Sequence, residues 1–422
     1  MVGRLRNNNL WVLMRIIVVF LAFISKFVDC SSVEGRKEII LSKEEDLALE
    51  TRLKTLNKPP IISFQKDDGS IIDCIDIYKQ PAFDHPKLKN HRLQMKPSSL
   101  LLEKLGMSLD QEHKLPSKVL QCPSGTVPIR RTRKEDLVTA NAVLSHYRTM
   151  TGGPPFTPSQ GNHYAGAGTP NQTSEKYLGA RAAIALYNLT IAIPAQTSAS
   201  SLRIGSGVDG PFNSIEYGYT VSHHFTPTIE YYSKFNQQLY GDRKARTFNL
   251  WTADGFSKTG CFNMLCPGFV QVNQLRHMGD ELTYFSEYDK NKTFMLLGII
   301  KDPKTQNWWI VESLPQATNQ YIGYWPKELL PEMSEFATNV QVGGKVYNPS
   351  IEPSKTPMGS GHFVADDLLK TCEAIVHVVN STYGLIPDES LKMDVFANAP
   401  DLYNAQFLDG AEVLFGGPDF TI

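Results

Sequence analysis

Apolar and polar positions alternate with a period of two over much of the chain's second half. Over Ser214–Ser222, Ile215, Tyr217, Tyr219 and Val221 share one face, while Glu216, Gly218 and Thr220 share the other, which predicts a half-buried strand. Thr293–Lys301 and Asn307–Glu312 flank a turn at Asp302-Pro303, and Gly268–Asn273 and Val340–Tyr347 read as further short strands. Only Pro326–Phe336 looks helical in that half. Many short strands with regular turns predict an antiparallel β-sandwich.

The first half differs. Ser42 with Glu45 three residues on is a capping box, and Leu47, Leu49, Leu53 and Leu56 continue a helix that Pro59 and Pro60 stop. Ile61–Gln65 and Ser70–Tyr78 around Asp67-Asp68-Gly69 read as a hairpin, and Lys134–Met150 as a second helix. A small α+β domain therefore precedes the mainly β one. From 151 to 173 the chain is rich in Gly, Pro, Ser, Thr and Asn with almost nothing apolar, the composition of a linker. Just upstream, Arg130-Arg131-Thr132-Arg133-Lys134 reads as a solvated turn before a helix, the alternatives being a processing site or a basic patch. The expected organisation is a segment 1–30, a domain 31–150, a linker 151–173 and a β-sandwich 174–422.

The segment 1–30 reads as a secretory signal peptide cleaved after Cys30, the rival being an uncleaved signal anchor. Arg4, Arg6 and Arg15 precede the apolar run Ile16–Ile24, which is too short for a membrane span of about 20 residues. Export places the cysteines in an oxidising compartment. With Cys30 lost, Cys261 and Cys266 lie close enough to staple one loop, Cys74 and Cys122 can pair within the N-terminal domain, and Cys372 is left over. A zinc reading of Cys261 and Cys266 lacks ligands, with only His277 nearby. Sequons stand at Asn171, Asn188, Asn291 and Asn380. Lys plus Arg number 42 against 43 Asp plus Glu, so no basic field exists to hold nucleic acid.

Several nominal motifs fail on context. Gly205–Gly210 fits a dinucleotide pattern but runs into Pro211 and strand, with no helix N-terminus for a pyrophosphate. Around Ser360, Met358 and His362 stand where a nucleophile elbow needs glycines. Two features survive. Trp308 and Trp309 are adjacent on a strand and so face opposite ways, which leaves at least one of them available to a cleft. Glu216 is a carboxylate on the face opposite Ile215 and Tyr217, and such a group must be paired, solvated or used.

Taken together, a set of strings resembles the neprosin family of secreted plant glutamic peptidases. They are Lys89–Pro97, His163–Ala165, Asn213–Gly218, Leu239–Asp242, Arg246–Phe248, Trp251–Asp254, Thr259–Gln271, Trp308-Trp309, Gly323–Pro326 and Met358–Phe363. The resemblance implies an activation domain that inhibits in cis and is removed on maturation. It further implies a sandwich of two bent sheets, export to the apoplast or cell wall, and hydrolysis beside proline at acid pH through two glutamates without metal or cofactor. The first glutamate falls on Glu216. The second falls on Gln341 in Val340–Lys345, where Lys345 also replaces an acid. An amide can donate to an oxyanion but cannot deliver a proton. Tyr217, Trp309 and Trp325 are the expected cleft residues. Two readings follow: an endopeptidase acting on proline-containing peptides, with Glu216 as base and Gln341 as oxyanion donor, or a non-catalytic binder of peptide or wall polysaccharide. A second acid facing Glu216, with Glu312 first in line, would favour the enzyme, and Gln341 alone there would favour the binder.

Overall fold

Local sequence signals set the first elements. In the computed structural model, which describes residues 42–104, 121–148, 161–170, 174–191, 196–207, 212–222, 244–314, 317–348 and 356–419, Ser42 and Glu45 make a reciprocal cap. Glu45 N–H donates to Ser42 Oγ at 3.1 Å and Ser42 N–H to Glu45 Oε2 at 2.9 Å, opening helix α1, Lys43–Leu56. Contacts divide the chain after Asp46, and residues 47–422 cluster as one compact unit. The expectations for 1–30 and for the sequon Asn171 lie outside the described residues. No described helix is long and apolar enough to cross a membrane.

The predicted hairpin forms as β1 (Ile62–Gln65) and β2 (Ile71–Asp76), and β3 (Thr126–Arg130) adds a third antiparallel strand. Gly69 takes φ +78° in the turn, a conformation glycine adopts freely. Helices α2 (Ser99–Lys104) and α3 (Lys134–Arg148) complete the N-terminal region. Cys74 and Cys122 are disulfide-bonded, as are Cys261 and Cys266, and Cys372 is free and buried. The thiolates that a zinc site would need are therefore absent from that loop. The basic run leads directly into α3 with Arg133 exposed, as expected, but its charges are paired: Arg130 and Arg133 with buried Asp136 at 3.0 and 3.1 Å, Arg131 with Asp73 at 2.6 Å, and Lys134 with Glu50 at 3.0 Å.

The remaining strands form two large antiparallel sheets. One contains β4 (Asn162–Gly168), β6 (Thr197–Ser206), β7 (Asn213–Ser222), β8 (Arg246–Thr252), β9 (Cys261–Phe262), β14 (Asn339–Tyr347) and β16 (Asp394–Ala397), in the order β16-β4-β14-β6-β7-β8-β9. The other contains β5 (Tyr177–Ala185), β10 (Val270–Gln271), β11 (Phe294–Lys301), β12 (Trp308–Leu314), β13 (Ala317–Trp325), β15 (Cys372–Asn380), β17 (Asn404–Leu408) and β18 (Glu412–Gly416). Period-two patterning turns Leu202, Ile204, Ile215, Tyr217, Tyr219, Val340 and Val342 inward, where they meet Ala180, Ala182, Ile184, Leu297 and Ile299. Tyr219 crosses the gap, its hydroxyl donating to Ala185 O at 2.9 Å. The fold is thus mainly β, a double-sheet sandwich after a smaller α+β region.

Two expectations fail here. The supposed linker contains β4, a buried strand paired on both sides with β14 and β16. Its Tyr-Ala-Gly-Ala-Gly stretch looked unburiable because it has little side chain, but backbone approach is what buries it: a Cβ on Gly166 would sit 2.3 Å from Val342 O. The helix expected over Pro326–Phe336 is instead two 3-10 turns, Lys327–Leu329 and Pro331–Met333, the second opening at Pro331.

Candidate active site

Cross-strand register assembles the site. Gln341 on β14 pairs with Arg203 on β6, and Arg203 pairs with Glu216 on β7, so the three share one transverse row on the sheet's outer face. Gln341 and Glu216 are two strand spacings apart, roughly 10 Å between backbones. The adjacent row is Gly166–Gly343–Ser201–Gly218, nearly bare of side chains. A Cβ on Gly218 would lie 2.1 Å from Ser200 O. The glycines let the strands close tightly and leave a trough beside the carboxylate. A cavity of about 30 Å³ opens there, lined by Tyr164, Ser201, Arg203, Glu216, Gln341, Lys345 and Phe396, with room for one or two waters.

Glu216 is buried, and both its named partners reach one oxygen. Ser201 Oγ donates to Oε1 at 2.7 Å and Lys345 Nζ at 2.5 Å. Burial pushes the Glu216 carboxyl above its ordinary value, with the Arg203 charge and the Ser201 hydroxyl pulling back. Burial pushes the Lys345 ammonium well below the usual lysine range. Its cation lies 4.9 Å from the Phe248 ring centroid. Beside them, burial drives the Tyr164 phenol far up, so it stays a neutral group.

Gln341 is buried, and its Oε1 has no hydrogen-bond partner among the described residues. Amide oxygen and nitrogen are interchangeable by rotation, so this end can present an N–H to a substrate oxygen. Gly168, its neighbour in the row, makes the space: a Cβ there would stand 2.8 Å from Gln341 Cγ.

Glu312 is not the second acid. It lies on β12 in the other sheet, where its Oε2 accepts from Tyr217 OH and its Oε1 from Arg276 Nε at 3.1 Å. Tyr217 and Glu216 take opposite faces of β7, so the sheet separates Glu312 from the cavity. Tyr217 is therefore a core residue, not a cleft residue. Trp309 and Trp325 are also fully buried. Trp308 and Trp309 do face opposite ways, but both faces are covered at that end. Trp308 Nε1 donates to Met333 O at 2.9 Å, while Trp309 packs on Tyr324, which the N-terminal region caps through His91 Nε2 at 2.8 Å. Trp325 packs on Phe269 at 4.6 Å between ring centroids. Sequence reasoning missed Ser201 and Arg203 as site residues. The signal was there for Arg203, a charge between the core residues Leu202 and Ile204.

Of the described sequons, Asn188 and Asn291 are exposed. Asn380 Oδ1 instead accepts from Thr382 N, Thr382 Oγ1 and Gly384 N, which ties it into its own turn. Among the described residues no cluster of His, Cys, Asp or Glu is arranged to hold a metal ion.

Comparison with known proteins adds the family. Residues 194–418, more than half of the chain, match the family model described as Neprosin, and residues 63–167 match the Neprosin activation peptide. Among solved structures, a scytalido-glutamic peptidase with a transition state analog inhibitor is similar at 10% identity, over 61% of this chain and 98% of that one, with a TM-score of 0.31. The beta-porphyranase BpGH16B from the human gut bacterium Bacteroides plebeius is similar at 7% identity, over 58% and 64%, with a TM-score of 0.21. At such scores neither bears on the chemistry.

Proposed function

Because the chain belongs to the neprosin family, and is of glutamic-peptidase type on that account, we propose that it is a secreted endopeptidase cleaving beside proline with a Glu216–Gln341 pair. One observation carries this reading: Glu216 and Gln341 project from a single row into one water-sized cavity, with Arg203 between them. In the ionised state Glu216 takes a proton from a water held in the cavity as that water attacks the scissile carbonyl. The Gln341 amide, turned N–H outward, and the Arg203 guanidinium stabilise the oxyanion that forms. The glycine row gives the substrate backbone room to lie beside the carboxylate.

Disulfides at Cys74–Cys122 and Cys261–Cys266 suit an oxidising compartment and so support export to the apoplast or cell wall. Residues 31–150 are proposed as the activation domain and intramolecular inhibitor. Their described contacts run to the edge and the far sheet, as in Asp68–Arg246 at 2.8 Å and Gln94 Nε2–Asp302 at 3.0 Å. None of their described residues lines the Glu216 cavity. The proposed boundary to the sandwich moves ahead of β4, since that strand belongs to the catalytic sheet.

The Lys345–Glu216 contact favours the second reading, a binder of peptide or wall polysaccharide in which an ion pair occupies the base. Acid-treated protein incubated with proline-containing peptides decides between them. Cleavage that disappears in Glu216→Gln supports the endopeptidase; no cleavage at any pH, with peptide or polysaccharide retained by the wild type, supports the binder.

A further inference from the structure

In the mechanism above, protonation of the leaving amine is open to Glu216, with the proton it takes from water, and to any other acid in the cavity. An amide nitrogen leaves readily only once it is protonated, and a glutamine carboxamide has no proton to give. A second acid stands beside Glu216 in the cavity. Lys345 Nζ lies 2.5 Å from Glu216 Oε1, 18% of its side chain is exposed, and it lines the same cavity as Glu216 and Gln341. Among the described residues lining the cavity, the other titratable or charged groups are Arg203 on β6 and Tyr164 on β4. We propose that Lys345 is the general acid of this site, donating its Nζ proton to the leaving amine, so that the chain works with a Glu–Lys pair. This rests on the endopeptidase reading.

The steps balance without any further reactant. Water oxygen bonds to the carbonyl carbon as one of its protons passes to Glu216, and the carbonyl electrons move to the oxygen held by Gln341 and Arg203. The oxyanion electrons then re-form the carbonyl, the C–N bond breaks, and its electron pair takes the Lys345 proton. Glu216 is now a neutral acid and Lys345 a neutral amine in direct contact, so one proton transfer restores carboxylate and ammonium. Burial suits both halves of that cycle. It makes the ammonium a better acid than an exposed lysine and keeps the carboxyl a competent base.

Three variants of the full chain test this, assayed after acid treatment on a proline-containing peptide across the pH range. Lys345→Gln removes the proton and is expected to lower kcat by about 10²-fold or more with KM little changed. Lys345→Arg keeps the positive charge beside Glu216 but not a transferable proton, and is expected to be as impaired as the glutamine variant. Lys345→His is expected to retain partial activity with the upper limb of its pH profile moved toward about 6.5. A 15N-lysine titration by NMR is expected to show Lys345 ionising below the ordinary lysine range in the wild type. Lys345→Gln as active as the wild type, or Lys345→Arg with full kcat, overturns the assignment while leaving the endopeptidase reading intact. A wild type that cleaves nothing overturns both.

Discussion

Acid should loosen the attachment of the N-terminal hairpin through His277. This imidazole is buried, with Nδ1 2.9 Å from Met278 O and Nε2 3.3 Å from Lys66 Nζ on the β1–β2 turn. Lys66 Nζ also reaches Asp280 Oδ1 at 3.2 Å, and Arg276 holds the other oxygen of Asp280 at 2.9 Å. In the neutral tautomer with its proton on Nδ1, Nε2 accepts from Lys66, whereas a protonated ring would turn an N–H toward Asp280 Oδ1, 3.1 Å from the same Nε2, and lose the Lys66 bond. Burial lowers His277 to about 4, with Asp280 opposing that shift and Lys66 adding to it. A folded-state value below the unfolded one gives stability that is present above the unfolded value of about 6.5 and lost as pH falls toward the folded value. The shift corresponds to about 3 kcal/mol, at about 1.4 kcal/mol per unit.

Urea unfolding at about pH 7 and about pH 4 measures this term, with His277→Gln as the non-titrating control. The wild type should lose about 3 kcal/mol more between the two pH values than the variant does. The carboxylates of this cluster act in a lower window. Asp280 is held well below its ordinary value because Arg276, His277 and Lys66 outweigh its burial, so its contribution fades below about pH 4. Equal losses in wild type and variant would refute the assignment, as would a His277 NMR titration with a midpoint near 6.5.

Glu216→Gln should abolish peptide cleavage, and Gln341→Glu should raise activity at acid pH by about 10²-fold, both read as kcat/KM against a proline-containing peptide. Gly218→Ala should cost about 3 kcal/mol in urea unfolding, because its Cβ would sit 2.1 Å from Ser200 O, a backbone atom that cannot step aside. Maturation should cut between residues 149 and 160. The basic side chains of 130–134 are committed to ion pairs, while α3 and β4 bound the interval, so mass analysis after acidification should find a new N-terminus ahead of Gly161.

What the sequence revealed depended on whether burial comes from side chains or from backbone. Ile215 to Val221 on β7 could be read directly, since one face is apolar and the other carries Glu216 among small residues. β4 could not, because glycine and alanine bury by letting strands approach and leave no hydrophobic period. Trp309 was misjudged for a non-local reason: its cover is Tyr324, held in turn by His91 some 230 residues earlier in the chain. The site divided the same way. Glu216 could be singled out from its strand pattern and Gln341 only through motif likeness, whereas the Gln341–Arg203–Glu216 row is a property of register across three strands. Lys345 was visible as a departure from the family pattern, but only the fold brings its amine to Glu216.

The capping of Tyr324 bears on the proposed removal of the N-terminal region. His91 and the Gln94 backbone N–H, at 2.8 and 2.9 Å, both satisfy the Tyr324 hydroxyl, and Trp309 lies against the same ring. Removing the N-terminal region would strip those partners and bare an aromatic patch on the sheet that faces away from Glu216. Release of that region would then leave ring surface in water that the intact chain keeps covered, and a dye that fluoresces on apolar protein surface would report the change.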